Sequence, residues 1–325
     1  MSSPLVSVVV ITYNQEQSLP VALDSILTQR RSFDLEIIVG EDCSKDNTRE
    51  VLKGYESRYP GIVKALYNAE NKGILQNFKR CVEQVQGEYV AFCDGDDYWC
   101  DPEKLSKQVS ILTAHPDVGL VYTDVKMDSR ITGEQYYRAM ASPRKDLFTQ
   151  LLEGNIIVSS TVCLRRCLLE KVDFEEFVRE HFSMEDYPMW LSLSLETVFQ
   201  YLPEATACYV IERGVVNSND VGHHAVRFDE ETTRIRIYFK NKYPDRTSLT
   251  IDQIEDAHFM LGVRSGLNMN DRKFVLHYVD KLHRQTPYSR RLKGLCKSRI
   301  GFHIYQLYRS ITHKNKSQLQ QYFGM

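Results

Sequence analysis

The sequence lacks the marks of several classes of protein. Its 325 residues contain no run of about eighteen apolar residues, so a transmembrane helix is not expected. The N-terminal Met1-Ser2-Ser3-Pro4 has no basic region, unlike a secretory signal peptide. The eight cysteines form no Cys-x-x-Cys pair, which favours buried thiols in a reducing compartment. These absences, together with the lack of internal repeats, predict a cytoplasmic globular protein.

The C-terminal tail lacks acidic residues. Residues 281–325 hold ten Lys or Arg and no Asp or Glu, so a tail of net charge +10 follows a body of net charge −12. At helical spacing the tail carries Ile300, Ile304, Leu307 and Ile311. A basic amphipathic helix within 290–316 would suit peripheral contact with an anionic membrane, and packing on the rest of the protein is the alternative. Without a recognition motif, the charge does not predict nucleic-acid binding.

Short β-forming runs alternate with helix-forming segments over much of the chain. Strands are expected at residues 5–11, 35–40, 63–67, 88–93, 118–123, 155–164 and 205–211. This alternation is typical of βαβ units, which build a mostly parallel sheet with helices on both faces. We therefore predict an α/β domain over residues 1–224, with loops or a hairpin at 124–146, and a helical extension over residues 225–325.

Polar clusters follow four of the predicted strands. They are Thr12-Tyr13-Asn14, Glu41-Asp42, Asn71 and residues 94–97. Because crossovers between parallel strands are right-handed, the carboxyl ends of these strands open on one edge of the sheet. Ligands of open parallel sheets bind at that edge. The sequence therefore predicts a nucleotide site there.

The last of these clusters is acidic. The strand that ends at Cys93 runs into Asp94-Gly95-Asp96-Asp97, three carboxylates around one glycine. The carboxylates repel one another in a folded turn, and hard oxygen ligands at this density suit Mg²⁺ or Mn²⁺. Such an ion normally holds phosphates as well as protein. The alternative is a polar turn with an acidic helix cap ahead of Pro102.

Two later segments add candidates. Residues 184–191 predict a helix with Asp186 as its N-cap. The polar stretch 212–224 is a candidate lid whose side chains would meet the metal or the diphosphate, unless they are simply solvated. Its candidates are Arg213, His223 and His224. Trp99 and Trp190 either stack on a sugar ring or belong to the core.

With these motifs in this order, the chain resembles family 2 glycosyltransferases over about residues 5–215. The resemblance rests on residues 8–14 (VVVITYN), 41–46 (EDCSKD), 71–73 (NKG), 94–99 (DGDDYW) and 184–187 (MEDY). Members of the family have the GT-A fold and transfer a sugar from a nucleotide sugar with inversion. The resemblance therefore implies a GT-A domain, a nucleotide-sugar donor and Mn²⁺ or Mg²⁺ as cofactor.

The resemblance also implies the residues of the donor site. They are Thr12, Tyr13, Asn14, Glu41, Asp42, Asn71, Gly73, Asn77, Asp94, Gly95 and Asp97. Among them Thr12, Tyr13 and Asp42 would contact the base and the ribose. Glu41 stands where the family usually has another Asp, and Gln76 replaces an Arg that often precedes Asn77.

The metal and the chemistry are implied in the same way. Asp94 and Asp96 match the Asp-x-Asp pair of the family, and Asp96 is expected to be the direct metal ligand. Asp186 matches the catalytic base, with Glu185 as its rival. A carboxylate in that role takes the proton of the acceptor hydroxyl as this attacks the sugar.

The expected reaction is inverting transfer of a sugar, by default from a UDP-sugar, to a glycan or lipid-linked acceptor. It would build a bacterial-type surface polysaccharide on the cytoplasmic side of a membrane. A rival nucleotidyltransferase would need a Gly-rich phosphate loop after the first strand, and a dinucleotide oxidoreductase a Gly-x-Gly-x-x-Gly after Ile11. A non-catalytic nucleotide-sugar scaffold would have lost Asp96 or Asp186, and both are present.

Overall fold

The computed structural model describes residues 5–130, 132–211 and 221–309. The chain divides into two compact units, Met1–Val215 and Val216–Met325. The predicted boundary, after residue 224, lies nine residues beyond this division and inside a helix that begins at Val221. His223 and His224 therefore belong to that helix and not to a loop, while Arg213 and the rest of the candidate lid, residues 212–220, lie outside the described residues.

The first unit contains a nine-stranded mixed sheet. The strands are β1 (Val6–Thr12), β2 (Leu35–Glu41), β3 (Val63–Tyr67), β4 (Tyr89–Phe92), β5 (Tyr98–Trp99), β6 (Val118–Ser129), β7 (Glu134–Arg138), β8 (Cys163–Arg165) and β9 (Val198–Ile211). Their order is β3-β2-β1-β4-β8-β6-β9-β5, and β7 pairs with β6. The first four strands in that order are parallel, and so are β6 and β9.

The parallel strands form where the sequence predicts them. The runs in β1 and β2 are rich in β-branched residues and buried almost throughout, as expected for strands covered on both faces. Their register places Thr12 opposite Glu41, and Val9 opposite Phe92 of β4. The carboxyl ends of β1, β2 and β4 therefore meet at one edge. The predicted α/β class with a mostly parallel sheet is confirmed.

The second half of the sheet differs from the prediction. The strand expected at 155–164 is only Cys163–Arg165, which lies antiparallel between β4 and β6. A 3-10 turn at Ser159–Thr161 precedes it. Strand β6 runs on to Ser129 and forms an antiparallel hairpin with β7, one of the two forms predicted for residues 124–146. The buried Asp124 of β6 accepts hydrogen bonds from Tyr201 Oη of β9 and from the backbone N–H of Met140, which follows β7.

The helices lie between the strands, as the alternation in the sequence predicts. In the first unit they are α1 (Leu19–Leu27), α2 (Thr48–Arg58), α3 (Ile74–Val82), α4 (Lys104–Ala114), α5 (Leu147–Glu153), α6 (Phe174–Arg179) and α7 (Asp186–Leu193). One predicted cap is wrong. Glu185 is the N-cap of α7 and Asp186 is its first residue, so the Asp186 carboxylate turns back onto the backbone N–H of Tyr187 at 2.6 Å and does not cap the helix.

The second unit is helical, as predicted. Its helices are α8 (Val221–Lys242), α9 (Ile251–Asn268), α10 (Arg272–Val279) and α11 (Pro287–Cys296), and residues 299–309 are helical as well. Phe302 packs into the apolar core of this unit, whereas Ile300 and Ile304 of the predicted stripe are 75% and 57% exposed. Ile311 lies outside the described residues. No helix in the described ranges is long and apolar enough to cross a membrane.

Candidate active site

The end of β1 forms one wall of the site. Thr12 is buried, and Tyr13 beside it is 38% exposed. Thr12 Oγ1 and Gln15 Oε1 are buried and find no hydrogen-bond partner among the described residues. A Cβ on Gly95 would lie 2.4 Å from Gln15 Oε1 and 2.9 Å from Thr12 Oγ1, so only glycine fits between them. Unpaired polar atoms at a strand end indicate a place where a ligand can hydrogen-bond.

Asp42 fixes the loop after β3. Its Oδ1 accepts a hydrogen bond from the backbone N–H of Lys72 at 2.8 Å, and its Oδ2 accepts one from the N–H of Gly73 at 2.9 Å. Asn71 Nδ2 donates to the Asp42 carbonyl at 3.2 Å. Gly73 has a φ of 81°, a conformation that favours glycine. The structure thus brings together Asp42, Asn71 and Gly73, as the sequence motifs predict.

Glu41 and Asn77 lie beneath this edge and not on it. The Glu41 carboxylate is fully buried and pairs with Arg49 and the backbone N–H of Ser44. Asn77 Nδ2 donates to the Gly40 carbonyl at 2.8 Å, and its Oδ1 accepts from Asn68 at 3.0 Å. Both side chains have their hydrogen bonds filled by protein groups. They support the backbone of β2 and the loop that follows it.

Asn14 shapes the turn after β1. Its φ of 54° lies in the left-handed region, which Asn tolerates better than most residues. Its Oδ1 accepts the backbone N–H of Lys45 at 2.7 Å, and its own N–H donates to Ser44 Oγ at 3.0 Å. These bonds tie the turn after β1 to the loop after β2.

The acidic turn packs three carboxylates against the end of β4. Asp97 is buried, and its Oδ1 accepts the backbone N–H of Val210 at 3.0 Å. Burial and the neighbouring charges of Asp96 and Asp186 raise the pKa of Asp94 to about 8. Burial, Asp94 and Asp96 also hold the pKa of Asp97 well above its usual range. Ionising these carboxyls together is therefore unfavourable in the folded turn, and a bound cation would offset that cost.

The start of α7 faces this turn. Burial raises the pKa of Asp186 to about 6, against the opposing effects of the Tyr187 backbone N–H, Trp190 and Asn155. Burial, followed by the charges of Asp186 and Asp94, holds the pKa of Glu185 well above its usual range. The pKa of Asp186 therefore lies close to neutral pH. A general base works best with a pKa near the working pH.

The two tryptophans belong to the core. Trp190 is fully buried, with its ring centroid 6.1 Å from that of Phe92. Its indole N–H lies near the Asp186 carboxylate and lowers the pKa of that group. Trp99 is buried too, and its Nε1 donates to the Ser160 carbonyl at 3.0 Å. Neither ring is open for stacking on a sugar.

Three site residues were missed in the sequence. Asn155 lies beside Asp186, and Ser160 lies beside Asp97, where each acts to lower the pKa of its carboxyl partner. Tyr209 of β9 lies among the acids, whose charges add to burial in raising its pKa. Isolated polar or aromatic residues in irregular or strand segments carry no motif, so only the fold reveals them.

The donor chemistry of the turn fits a divalent cation. Carboxylate oxygens are the ligands that Mg²⁺ and Mn²⁺ prefer, and Mg²⁺ is usually held by one or two carboxylates plus substrate phosphates. Asp94 and Asp96 can supply those two. Among the described residues, three potential ligand atoms come within 4.8 Å of one another at Asp252, Glu255 and His283 in the second unit, and not at the acidic turn. A cation bound by these two carboxylates would leave coordination positions open for substrate phosphates and water.

The acidic turn lies at the carboxyl edge of the parallel strands, where the sequence motifs predict it. The glycosyl transferase family 2 model matches residues 7–172, half of the chain, so the chain belongs to that family. This confirms the predicted family and, with the structural likenesses below, the predicted GT-A fold.

Two curated relatives and two solved structures illustrate the similarity. An uncharacterized protein of Mycobacterium tuberculosis is 38% identical over 161 residues, which cover 49% of this chain but only 46% of that protein. The Escherichia coli UDP-Glc:alpha-D-GlcNAc-diphosphoundecaprenol beta-1,3-glucosyltransferase WfgD is 28% identical over 75% of this chain and 93% of its own. This chain therefore spans less than half the length of the mycobacterial relative.

The structural likenesses extend over nearly the whole chain. Staphylococcus aureus TarS, in complex with UDP-GlcNAc, has a TM-score of 0.56 at 18% identity and covers 96% of this chain and 92% of its own. The mannosyltransferase PcManGT from Pyrobaculum calidifontis, in complex with GDP-Man and Mn²⁺, has a TM-score of 0.55 at 16% identity, with 95% and 88% covered. At these identities the likeness establishes the fold.

Proposed function

We propose that this protein is an inverting, metal-dependent glycosyltransferase that moves a sugar from a nucleotide sugar to an acceptor hydroxyl. The observation that carries the proposal is that three acids of one turn and a fourth acid at the start of a helix come together at one sheet edge. Asp94, Asp96 and Asp97 come from the turn after β4, and Asp186 comes from the start of α7. The first group suits a cation with a diphosphate, and the second suits a general base.

The donor would lie along the carboxyl ends of β1 and β2. Thr12 and Asp42 stand at those ends, and the Thr12 hydroxyl, which has no hydrogen-bond partner among the described residues, can bond to a nucleoside. When bound by Asp96 and Asp94, a divalent cation supplies positive charge that stabilises the leaving diphosphate. UDP is the default nucleotide. TarS in complex with UDP-GlcNAc and PcManGT in complex with GDP-Man and Mn²⁺ share this fold.

The chemical step is a single displacement. The acceptor oxygen attacks C1 of the sugar from the face opposite the nucleoside diphosphate. The new O–C1 bond forms as the bond from C1 to the diphosphate oxygen breaks, and the hydroxyl proton passes to Asp186. A pKa near 6 leaves the Asp186 carboxylate ionised at neutral pH and still able to accept that proton.

The acceptor is proposed to be a glycan or a lipid-linked glycan at the cytoplasmic face of a membrane. WfgD, by its name, acts on a diphosphoundecaprenol-linked sugar. In this chain Ile300 and Ile304 are exposed on a helix without acidic residues, and Lys297 and Arg299 precede them. Exposed apolar side chains beside basic ones suit an anionic bilayer. We therefore propose peripheral membrane contact through residues 290–316.

The first experiment is calorimetric binding of UDP, GDP, CDP and dTDP, each with Mn²⁺ and with EDTA. Wild type is compared with Asp96→Ala and with Asp117→Ala, which removes an exposed aspartate elsewhere on the first unit. We expect one nucleotide to bind only with Mn²⁺, Asp96→Ala to abolish that binding, and Asp117→Ala to leave it unchanged. Lack of binding by all four nucleotides in wild type would contradict the proposal.

The membrane contact is tested separately by sedimentation with vesicles. We expect wild type to bind vesicles rich in phosphatidylglycerol and not those of phosphatidylcholine, with binding that falls as salt rises. The double variant Ile300→Asp, Ile304→Asp should lose binding while its nucleotide affinity stays unchanged. Equal binding by the variant and wild type would exclude this surface.

A further inference from the structure

Strand β9 presents one open aromatic side chain beside the acids. Cys208 and Val210 are buried, whereas Tyr209 between them is 42% exposed. Successive side chains of a strand point to opposite faces, so Tyr209 faces away from the side on which its two neighbours pack. A large aromatic side chain half open to solvent at a sheet edge is available to a ligand.

Two contacts fix where Tyr209 lies. The backbone N–H of the next residue, Val210, donates to Asp97 Oδ1 at 3.0 Å, which holds β9 against the acidic turn. Tyr98, which directly follows that turn, pairs with Cys208 in the β5–β9 ladder. Burial, together with the charges of Asp97, Asp96, Asp94 and Asp186, raises the pKa of the Tyr209 phenol. Tyr209 is therefore near both the acids of the turn and the acid of α7.

We infer that Tyr209 is a substrate-contact residue whose ring packs against the transferred sugar. The inference rests on the proposed function and identifies a residue that contacts the sugar part of the donor. With the diphosphate at the turn and the acceptor hydroxyl at Asp186, the group between them is the sugar ring. An amphipathic tyrosine offers an apolar face to the sugar C–H groups and a hydroxyl to its oxygens.

The nucleotide end of the site has a different aromatic residue. Tyr13 is exposed at the end of β1, where the structure collects Thr12 and Asp42. Substitution of Tyr13 should weaken binding of both the bare nucleotide and the sugar nucleotide. Substitution of Tyr209 should weaken binding of the sugar nucleotide only. The two tyrosines thus separate recognition of the nucleotide from recognition of the sugar.

The test compares the affinities of UDP, UDP-glucose, UDP-GlcNAc, GDP and GDP-mannose, in the presence of Mn²⁺, for four full-length proteins. These are wild type, Tyr209→Ala, Tyr209→Phe and the control Tyr136→Ala, which truncates an exposed tyrosine on β7 of the same sheet. We expect wild type to bind one sugar nucleotide more tightly than its bare nucleotide. Tyr209→Ala should reduce that preference about five- to tenfold, and leave the affinity of the bare nucleotide unchanged.

Tyr209→Phe separates the ring from the hydroxyl. If the ring packs on the sugar, this variant keeps most of the preference, and Tyr136→Ala keeps all of it. A wild-type preference that Tyr209→Ala leaves intact, or the absence of any preference in wild type, would overturn the inference alone. An equal loss for UDP and the UDP-sugar would do the same. Failure of every nucleotide to bind wild type would overturn the proposed function and this inference with it.

Discussion

The backbone N–H of Val210 and the carboxylate of Asp97 are 113 residues apart in sequence and form a hydrogen bond of 3.0 Å. This bond closes the site, because it ties the far strand β9 to the turn that follows β4. Asp97 is buried in doing so, and its pKa is held well above the usual range by burial and by Asp94 and Asp96. The Asp97 carboxyl, which accepts this hydrogen bond, thus lies beside carboxyls that disfavour its ionisation.

We expect Asp97→Asn to raise the free energy of unfolding of the metal-free protein, by about 1 kcal/mol. The amide oxygen can still accept the Val210 N–H, while the cost of burying an ionisable carboxyl beside Asp94 and Asp96 is removed. Asp97→Ala removes the acceptor as well and should be less stable than Asp97→Asn, since the Val210 N–H is left without a partner. Urea unfolding in EDTA measures both. Equal stabilities of the two variants would show that the hydrogen bond contributes nothing.

Replacing each of the two carboxyls at the start of α7 by the corresponding amide should have different effects on catalysis. Asp186→Asn removes the proposed base and should reduce kcat by about 10²- to 10⁴-fold while donor binding is retained. Burial and the charges of Asp186 and Asp94 hold the pKa of Glu185 well above its usual range, which disfavours its ionised form, so Glu185→Gln should reduce kcat far less than Asp186→Asn does. Sugar transfer under saturating substrates measures both effects. A large loss in Glu185→Gln with an active Asp186→Asn would reverse the assignment.

Gly40 holds α3 close to β2. A Cβ at this position would lie 2.5 Å from Cys81 Sγ and 2.6 Å from Asn77 Oδ1, both buried on α3. Gly40→Ala should therefore destabilise the protein by about 1–3 kcal/mol, the usual range for overpacking. Gly54→Ala is the matched control, because its Cβ meets open space inside α2 and alanine favours a helix by about 0.5–1 kcal/mol. Thermal unfolding should move in opposite directions in the two variants.

The early strands could be predicted because each carries its own signal. The β-branched runs of β1 and β2 and the polar residues after them suffice to indicate a parallel sheet with a ligand edge. Strand β8 could not be predicted correctly, since its three residues are too few to show a period and its direction depends on the chain returning between β4 and β6. Topology of that kind is set by packing over long sequence distances.

The site shows the same division. The motifs locate Asp94, Asp96, Asp97 and Asp186, whose residue types at strand and helix ends point to their chemistry. They do not distinguish side chains that line the edge from those that support it. Asn77 matches the motif, yet its side-chain hydrogen bonds are made to Gly40 and Asn68. Tyr209 shows the converse, because it carries no motif and is found only once β9 is placed against the turn.

The buried Lys104 predicts a pH dependence of stability. Lys104 lies at the start of α4, with Nζ 2.6 Å from Gln108 Oε1 and 4.5 Å from the centroid of the Trp99 ring. Burial lowers its pKa from 10.5 to about 8. Between pH 8 and 10.5 the unfolded chain therefore binds more protons here than the folded one. The stability contributed by this group rises with pH across that window, and below pH 8 it does not vary.

We expect the stability of wild type relative to Lys104→Met to rise between pH 8 and 10.5, by up to about 3 kcal/mol. The difference between the proteins is the relevant quantity, because tyrosines and cysteines with raised pKa values titrate in both. Lys107→Met is the control on the same helix: Asp101 and Glu204 raise the pKa of Lys107, so removing it leaves the contribution of Lys104 in place. Urea unfolding at pH 7, 8, 9 and 10 gives the comparison. A constant difference between wild type and Lys104→Met would mean that Lys104 keeps an ordinary pKa through access to water, and the helix start would then open more readily than its burial indicates.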